Sequence, residues 1–142
     1  MLLVIDANVV FSSLISKSIC LRIFELNRLF KKFEFIAPEF LLFEISNRID
    51  KILKFTKFTR EEFEEVFSLI KEQIEIIPFE IFKEKIDEAK SLSPHFKDLP
   101  YFSLALKFNC PILSGEKRFK NQDRVKVYSP REVLDMMLGK KE

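Results

Sequence analysis

Leu2-Leu3-Val4-Ile5-Asp6-Ala7-Asn8 stands at the start of the chain and decides how the rest is read. Four apolar residues in a row, closed by an acid, are the pattern of a central parallel strand buried on both faces. Asp6 then falls at the strand's carboxyl end. The run is too short for a membrane span or for the apolar core of a secretory signal.

Working outward, strands and helices alternate. Ile19, Ile23, Leu26 and Phe30 recur at helical spacing, and Phe35-Ile36 reads as a second strand. Pro38 suits the first turn of a helix running from Glu39 to Lys54, with Leu41, Leu42, Ile45, Ile49, Ile52 and Leu53 as its core stripe. Phe40 and Phe43 lie off that stripe, so this helix carries apolar surface on two sides. Thr59-Arg60-Glu61-Glu62 is a capping box that opens another helix. Ile74 to Ile77 reads as a strand, Phe79 to Leu92 as one helix, and Tyr101 to Asn109 as the next. Ile112 to Ser114 and Val125 to Tyr128 read as strands, and the box Ser129-Pro130-Arg131-Glu132 starts a last helix stopped by Gly139. Such alternation specifies a three-layer α/β/α domain with a mainly parallel, roughly five-stranded sheet. Its ligand site is expected just beyond the carboxyl ends of the strands.

A chain of 142 residues with 47% apolar composition fits one domain, taken as residues 1–139, with 140–142 as a frayed tail. Lys plus Arg number 24 against 22 for Asp plus Glu, so affinity for nucleic acid has to come from local clustering. Two glycines, Gly115 and Gly139, exclude a Walker loop and a glycine-rich dinucleotide turn. One histidine, His95, and two cysteines exclude zinc centres built on several soft ligands. Any metal chemistry falls to carboxylates. Cys20 and Cys110 read as buried free thiols in a reducing compartment, which implies a cytoplasmic protein with no membrane segment.

Four acids fall where a sheet-end cleft would gather them: Asp6, Glu44, Asp98 and Glu116. Each also has an ordinary structural reading. Asp6 and Asn8 can form a capping turn, and Glu44 can pair with Arg48 one helical turn on. Asp98 can favour a helix N-terminus, and Glu116 can sit in a solvated turn after Ser114-Gly115. Clustered carboxylates with few other donors suit a hard cation such as Mg²⁺ or Mn²⁺, which lowers the pKa of a bound water and stabilises charge on a phosphate.

The segments Val4-Ile5-Asp6-Ala7-Asn8-Val9-Val10, Pro38-Glu39-Phe40 to Glu44, Lys97-Asp98-Leu99-Pro100-Tyr101-Phe102-Ser103-Leu104-Ala105-Leu106 and Pro111-Ile112-Leu113-Ser114-Gly115-Glu116-Lys117-Arg118-Phe119 follow in this order. In that order and spacing the sequence resembles the PIN-domain nucleases, the family that includes VapC-type toxins. The resemblance implies a Mg²⁺- or Mn²⁺-dependent endoribonuclease, acting as the toxin of a toxin–antitoxin pair. By it Asp6, Glu44 and Asp98 occupy metal-binding, catalytic acid positions, and Glu116 stands where the family usually has an aspartate. Arg118 stands where a second acid is often found, and His95 where another aspartate is common. Asn8 and Ser114 would orient the carboxylates or water.

For substrate, Lys117, Arg118, Lys120 and Arg124 would clamp an RNA backbone beside the acids; the alternative is a solvated face. Phe119 and Tyr101 read as core residues before base-stacking ones. Phe40 and Phe43 point to a partner surface, where the resemblance implies a homodimer or an antitoxin helix; the alternative is packing against the Ile19 helix of the same chain. Two other classes remain: a PIN-like RNA-binding or scaffold module without catalysis, and a phosphotransfer domain with Asp6 as nucleophile. The second fits poorly because Asn8 breaks the paired-acid motif.

Overall fold

The structure is a computed structural model that describes residues 1–140. The expected tail at 140–142 therefore falls largely outside the described residues. Five strands form one parallel sheet: β1 Leu2–Ile5, β2 Glu34–Pro38, β3 Ile74–Ile77, β4 Ile112–Leu113 and β5 Val127–Tyr128. Their order is β3-β2-β1-β4-β5, every neighbouring pair is parallel, and helices cover both faces. Leu3, Val4 and Ile5 are buried completely, as a central strand flanked on both sides requires.

Among the described residues there are eight α-helices, seven between strands and one after the last: α1 Ala7–Ile15, α2 Ile19–Phe30, α3 Phe40–Phe55, α4 Arg60–Gln73, α5 Phe79–Phe82, α6 Ile86–Ala89, α7 Leu99–Phe108 and α8 Pro130–Met137. Both capping boxes form as read, Thr59 with Glu62 and Ser129 with Glu132. Gly139 adopts φ 74°, and the next amide, of Lys140, donates to the Asp135 carbonyl at 2.8 Å. That left-handed glycine and six-residue closure end α8 as anticipated. Among the described residues no helix is long and apolar enough to cross a membrane.

Three readings need correction. The Phe79–Leu92 stretch is two short helices joined by a 3₁₀ turn over Lys83–Lys85, because the backbone leaves the α region at Phe82 (φ −125°, ψ 5°). With that break both Phe82 and Ala89 reach the core. Pro38 ends β2, paired in register with Ile77, instead of opening α3. Of the α3 stripe only Leu41 and Ile52 are buried, while Leu42, Leu53, Phe43 and Phe55 are each more than half exposed. Periodicity records a helix's apolar moment but not whether a neighbour exists to cover it.

Polar side chains close the joints of this fold. The Asn27 side-chain amide donates to the Phe33 carbonyl and to Gln73 Oε1, both at 3.0 Å, and its oxygen accepts the Phe33 N–H at 2.9 Å. Gln73 in turn donates to the Phe24 carbonyl at 2.8 Å, so α2, β2 and α4 meet at one satisfied buried network. The other glutamine, Gln122, bonds both the carbonyl and the N–H of Val125 and fixes the entry to β5.

Candidate functional site

The strand order locates the cleft. From β1 the chain moves outward through β2 to β3, then returns to the other side of β1 as β4, which makes the carboxyl ends of β1 and β4 the switch point of the sheet. Asp6 follows β1 and Ser114-Gly115-Glu116 follows β4. Their backbones are tied by the Asp6 N–H donating to the Leu113 carbonyl at 3.0 Å.

Asp6 is buried and does two jobs. Its Oδ1 accepts the Ala7 N–H at 2.8 Å, capping α1, and its Oδ2 accepts the Ser114 hydroxyl at 2.7 Å. The capping reading therefore holds, and the same carboxylate stands at the switch point of the sheet. Burial pushes its pKa up to about 7, against the pull of the Ser114 and Ala7 hydrogen bonds and with a further rise from the charges of Asp98 and Glu44. Ser114 also accepts the Glu116 N–H at 3.0 Å, so one hydroxyl links two of the four acids. The amide oxygen of Asn8 lies 3.5 Å from the Gly115 nitrogen, at the limit of a hydrogen bond.

Glu44, on the second turn of α3, accepts the Tyr101 hydroxyl at 2.5 Å. Tyr101 is buried in α7, and burial, then this bond, then the charges of Glu44, Asp6 and Asp98 drive its pKa far above the usual range. The phenol therefore stays a donor beneath three acids. Arg48 does not take the pairing available to it with Glu44; its guanidinium lies over the Phe11 ring, 5.2 Å from the centroid. Asp98 precedes α7 and makes no side-chain capping bond. Burial raises its pKa, His95 and Arg118 lower it, and Glu44 and Glu116 raise it. Asp6, Glu44 and Asp98 are thus in mutual electrostatic range, and Glu116 joins through Asp98.

Glu116 is engaged locally. Its carboxylate accepts the Arg118 N–H and Nε–H, each at 3.1 Å, which caps the 3₁₀ turn Lys117–Asn121 and holds its pKa below the ordinary value. The basic stretch divides. Arg118 pairs with Glu116 and is in electrostatic range of Asp98, Lys117 stands next to Glu116 in the chain, and Lys120 pairs with Glu132 of α8. Arg124 pairs with Glu88 of α6 and lines, with Lys85 and Lys126, a hollow of about 290 Å³ that also touches Cys110 and Pro111. Those residues precede β4 and β5, so Arg124 stands at the opposite end of the sheet from Asp6. Phe119 and Tyr101 are both core residues, Phe119 packing on Phe102 with centroids 4.9 Å apart. Cys20 and Cys110 are free thiols.

The sequence reading passed over the Tyr101 hydroxyl. A signal existed: against 17 phenylalanines the chain has two tyrosines, and a buried tyrosine among phenylalanines needs a partner for its hydroxyl. For a divalent cation the donor chemistry fits, because Asp6, Asp98 and Glu44 offer carboxylate oxygens within electrostatic range of one another and no lysine or arginine is bonded to them. Among the described residues no three carboxylate, imidazole or thiol groups stand close enough to close a metal site unaided. An ion that keeps several waters and takes one or two carboxylates fits such an open site.

A parallel five-stranded sheet with helices on both faces and a buried acid at its switch point defines the class, an α/β domain. A family model described as the PIN domain matches residues 4–132, and the chain belongs to that family. A chain of the crystal structure of VapBC2 from Rickettsia felis, bound to a DNA fragment from their promoter, has the same fold. The TM-score is 0.62, with 18% identity over 91% of this chain and 98% of that one. No curated protein gives a significant match.

Proposed function

We propose that the chain is a Mg²⁺- or Mn²⁺-dependent endoribonuclease that hydrolyses RNA phosphodiester bonds, working as a cytoplasmic toxin paired with an antitoxin. The observation that carries this reading is Asp6: a buried carboxylate at the switch point of the sheet, its pKa raised to about 7, with two further acids near it. Uncompensated buried carboxylates are costly, and a cation resolves that cost.

Asp6 and Asp98 are the residues to hold the ion, with Glu44 and Glu116 at its edge. A bound ion there supplies an acidified water and offsets charge on the phosphate. Ser114 aims Asp6 through its hydroxyl, Tyr101 aims Glu44, and Asn8 steadies the Gly115 loop. Lys117 and Arg118 meet the substrate's phosphates, which fix position without reading sequence. The exposed apolar side of α3, with Phe40 and Phe43 stacked at 5.6 Å, supports a homodimer or an antitoxin helix covering it.

Two observations favour a second reading, a PIN-like RNA-binding or scaffold module: Glu116 is held by Arg118, and no three ligands converge unaided among the described residues. Calorimetric titration with Mn²⁺ separates the two. The nuclease reading expects saturable binding that is lost in Asp6→Asn and Asp98→Asn. Absence of binding to the unaltered protein leaves the scaffold reading.

A further inference from the structure

Among the described residues no aromatic ring is more exposed than Phe96, at 70%. It stands two residues before Asp98, in the 3₁₀ turn Phe96–Asp98. That turn is held by its own bonds: the Asp98 N–H donates to the His95 carbonyl at 3.0 Å, the Ser93 hydroxyl to the same oxygen at 2.5 Å, and the Lys97 N–H to His95 Nδ1 at 3.1 Å. The His95 ring, fixed in this way, lies on Phe96 with centroids 4.4 Å apart and planes at 34°. His95 and Arg118 are both within electrostatic range of Asp98. A preset aromatic pair thus borders the acids where cations are also at hand.

We infer that the Phe96–His95 pair is a stacking platform for one unpaired base of a single-stranded RNA, the base adjoining the phosphate at the acids. This deepens the ribonuclease reading and rests on it. Proteins grip single strands with cations along the backbone and aromatic faces under the bases. A base inside a duplex presents no free face, so a platform here selects unpaired RNA at the point of cleavage. The segment before Phe96 alternates Ser91, Ser93 and His95 with the partly buried Leu92 and Pro94, so Phe96 is its one exposed apolar side chain, whereas exposed apolar side chains of α3 succeed one another on a single helix. A single exposed ring paired with an imidazole on this segment suits a base better than it suits a broad apolar protein interface.

The test uses the full chain carrying Asp6→Asn, so that RNA stays uncut, and a single-stranded RNA labelled with 2-aminopurine. Adding Phe96→Ala should weaken binding by roughly 5- to 150-fold and abolish the quenching of the probe. The salt dependence of affinity should keep its slope, because stacking releases no counterions. Phe96→Trp should restore binding, and Phe96→Leu should not. Unchanged affinity in Phe96→Ala, equal rescue by Leu and Trp, or protection of Phe96 by a co-purifying protein overturns the platform. If the unaltered chain cuts single-stranded RNA and Phe96→Ala binds it equally well, only the platform fails. If the unaltered chain neither binds nor cuts RNA, the ribonuclease reading fails and the platform with it.

Discussion

The Tyr101 hydroxyl donates to Glu44 Oε1 at 2.5 Å, joining two residues 57 positions apart on α7 and α3. The bond fixes an acid that arrives on a helix, away from the strand ends where Asp6 and Glu116 stand. Asp6 has an equivalent fixture in Ser114.

Tyr101→Phe keeps the ring and removes only that donor. Groups that orient a ligating side chain contribute roughly 10-fold in metal affinity, and Mn²⁺ binding should weaken by about that factor. Urea unfolding should show a loss of about 1.5–3 kcal/mol from the missing hydrogen bond to the carboxylate. Mn²⁺ affinity equal to that of the parent chain would mean that Glu44 needs no such fixture.

The raised Asp6 pKa sets a pH dependence in metal-free protein. Because the folded value lies above the unfolded one, Asp6 contributes stability that is fully present below about pH 4 and is lost as pH rises through about 7. Asn at this position does not titrate. Relative to the parent chain, Asp6→Asn should therefore gain stability between pH 4 and pH 8, by up to about 4 kcal/mol. Chemical denaturation with chelator present measures the gap, and a gap constant across that range contradicts a buried, protonated Asp6.

Lys117 and Arg118 should behave unlike Arg124. Losing each phosphate contact lowers the salt slope of log affinity by about 0.7 for single-stranded RNA. The Lys117→Ala, Arg118→Ala double variant should show that drop. Arg124→Ala should not, because its guanidinium sits on Glu88 at the far end of the sheet. Equal slopes in both variants would return the basic stretch to a solvated face.

What the sequence discloses and what it withholds divide along chain separation. Asp6 at the end of β1, the capping boxes at Thr59 and Ser129, and the stop at Gly139 depend on residues within a few positions, and all are legible. The electrostatic proximity of Asp6, Glu44 and Asp98 is legible only as an expectation, from acids at a strand end and at helix edges that one end of the sheet can bring near one another. The Tyr101–Glu44 bond, the Asn27–Gln73 network and the turning away of Arg124 depend on pairs set by tertiary packing, and spacing along the chain carries no trace of them. The exposure of Leu42 and Leu53 belongs to the same class, since the stripe is visible in sequence and its missing neighbour is not.

The central claim is that acids centred on Asp6 hydrolyse RNA with a divalent ion. It is tested most directly by incubating single-stranded RNA with the purified chain and with Asp6→Asn, each with Mg²⁺ or Mn²⁺ and again with chelator. The account predicts internal cleavage by the parent chain that stops on chelation, and a fall of several orders of magnitude in Asp6→Asn with its circular dichroism unchanged. Cleavage that survives the substitution, or that ignores the chelator, contradicts it.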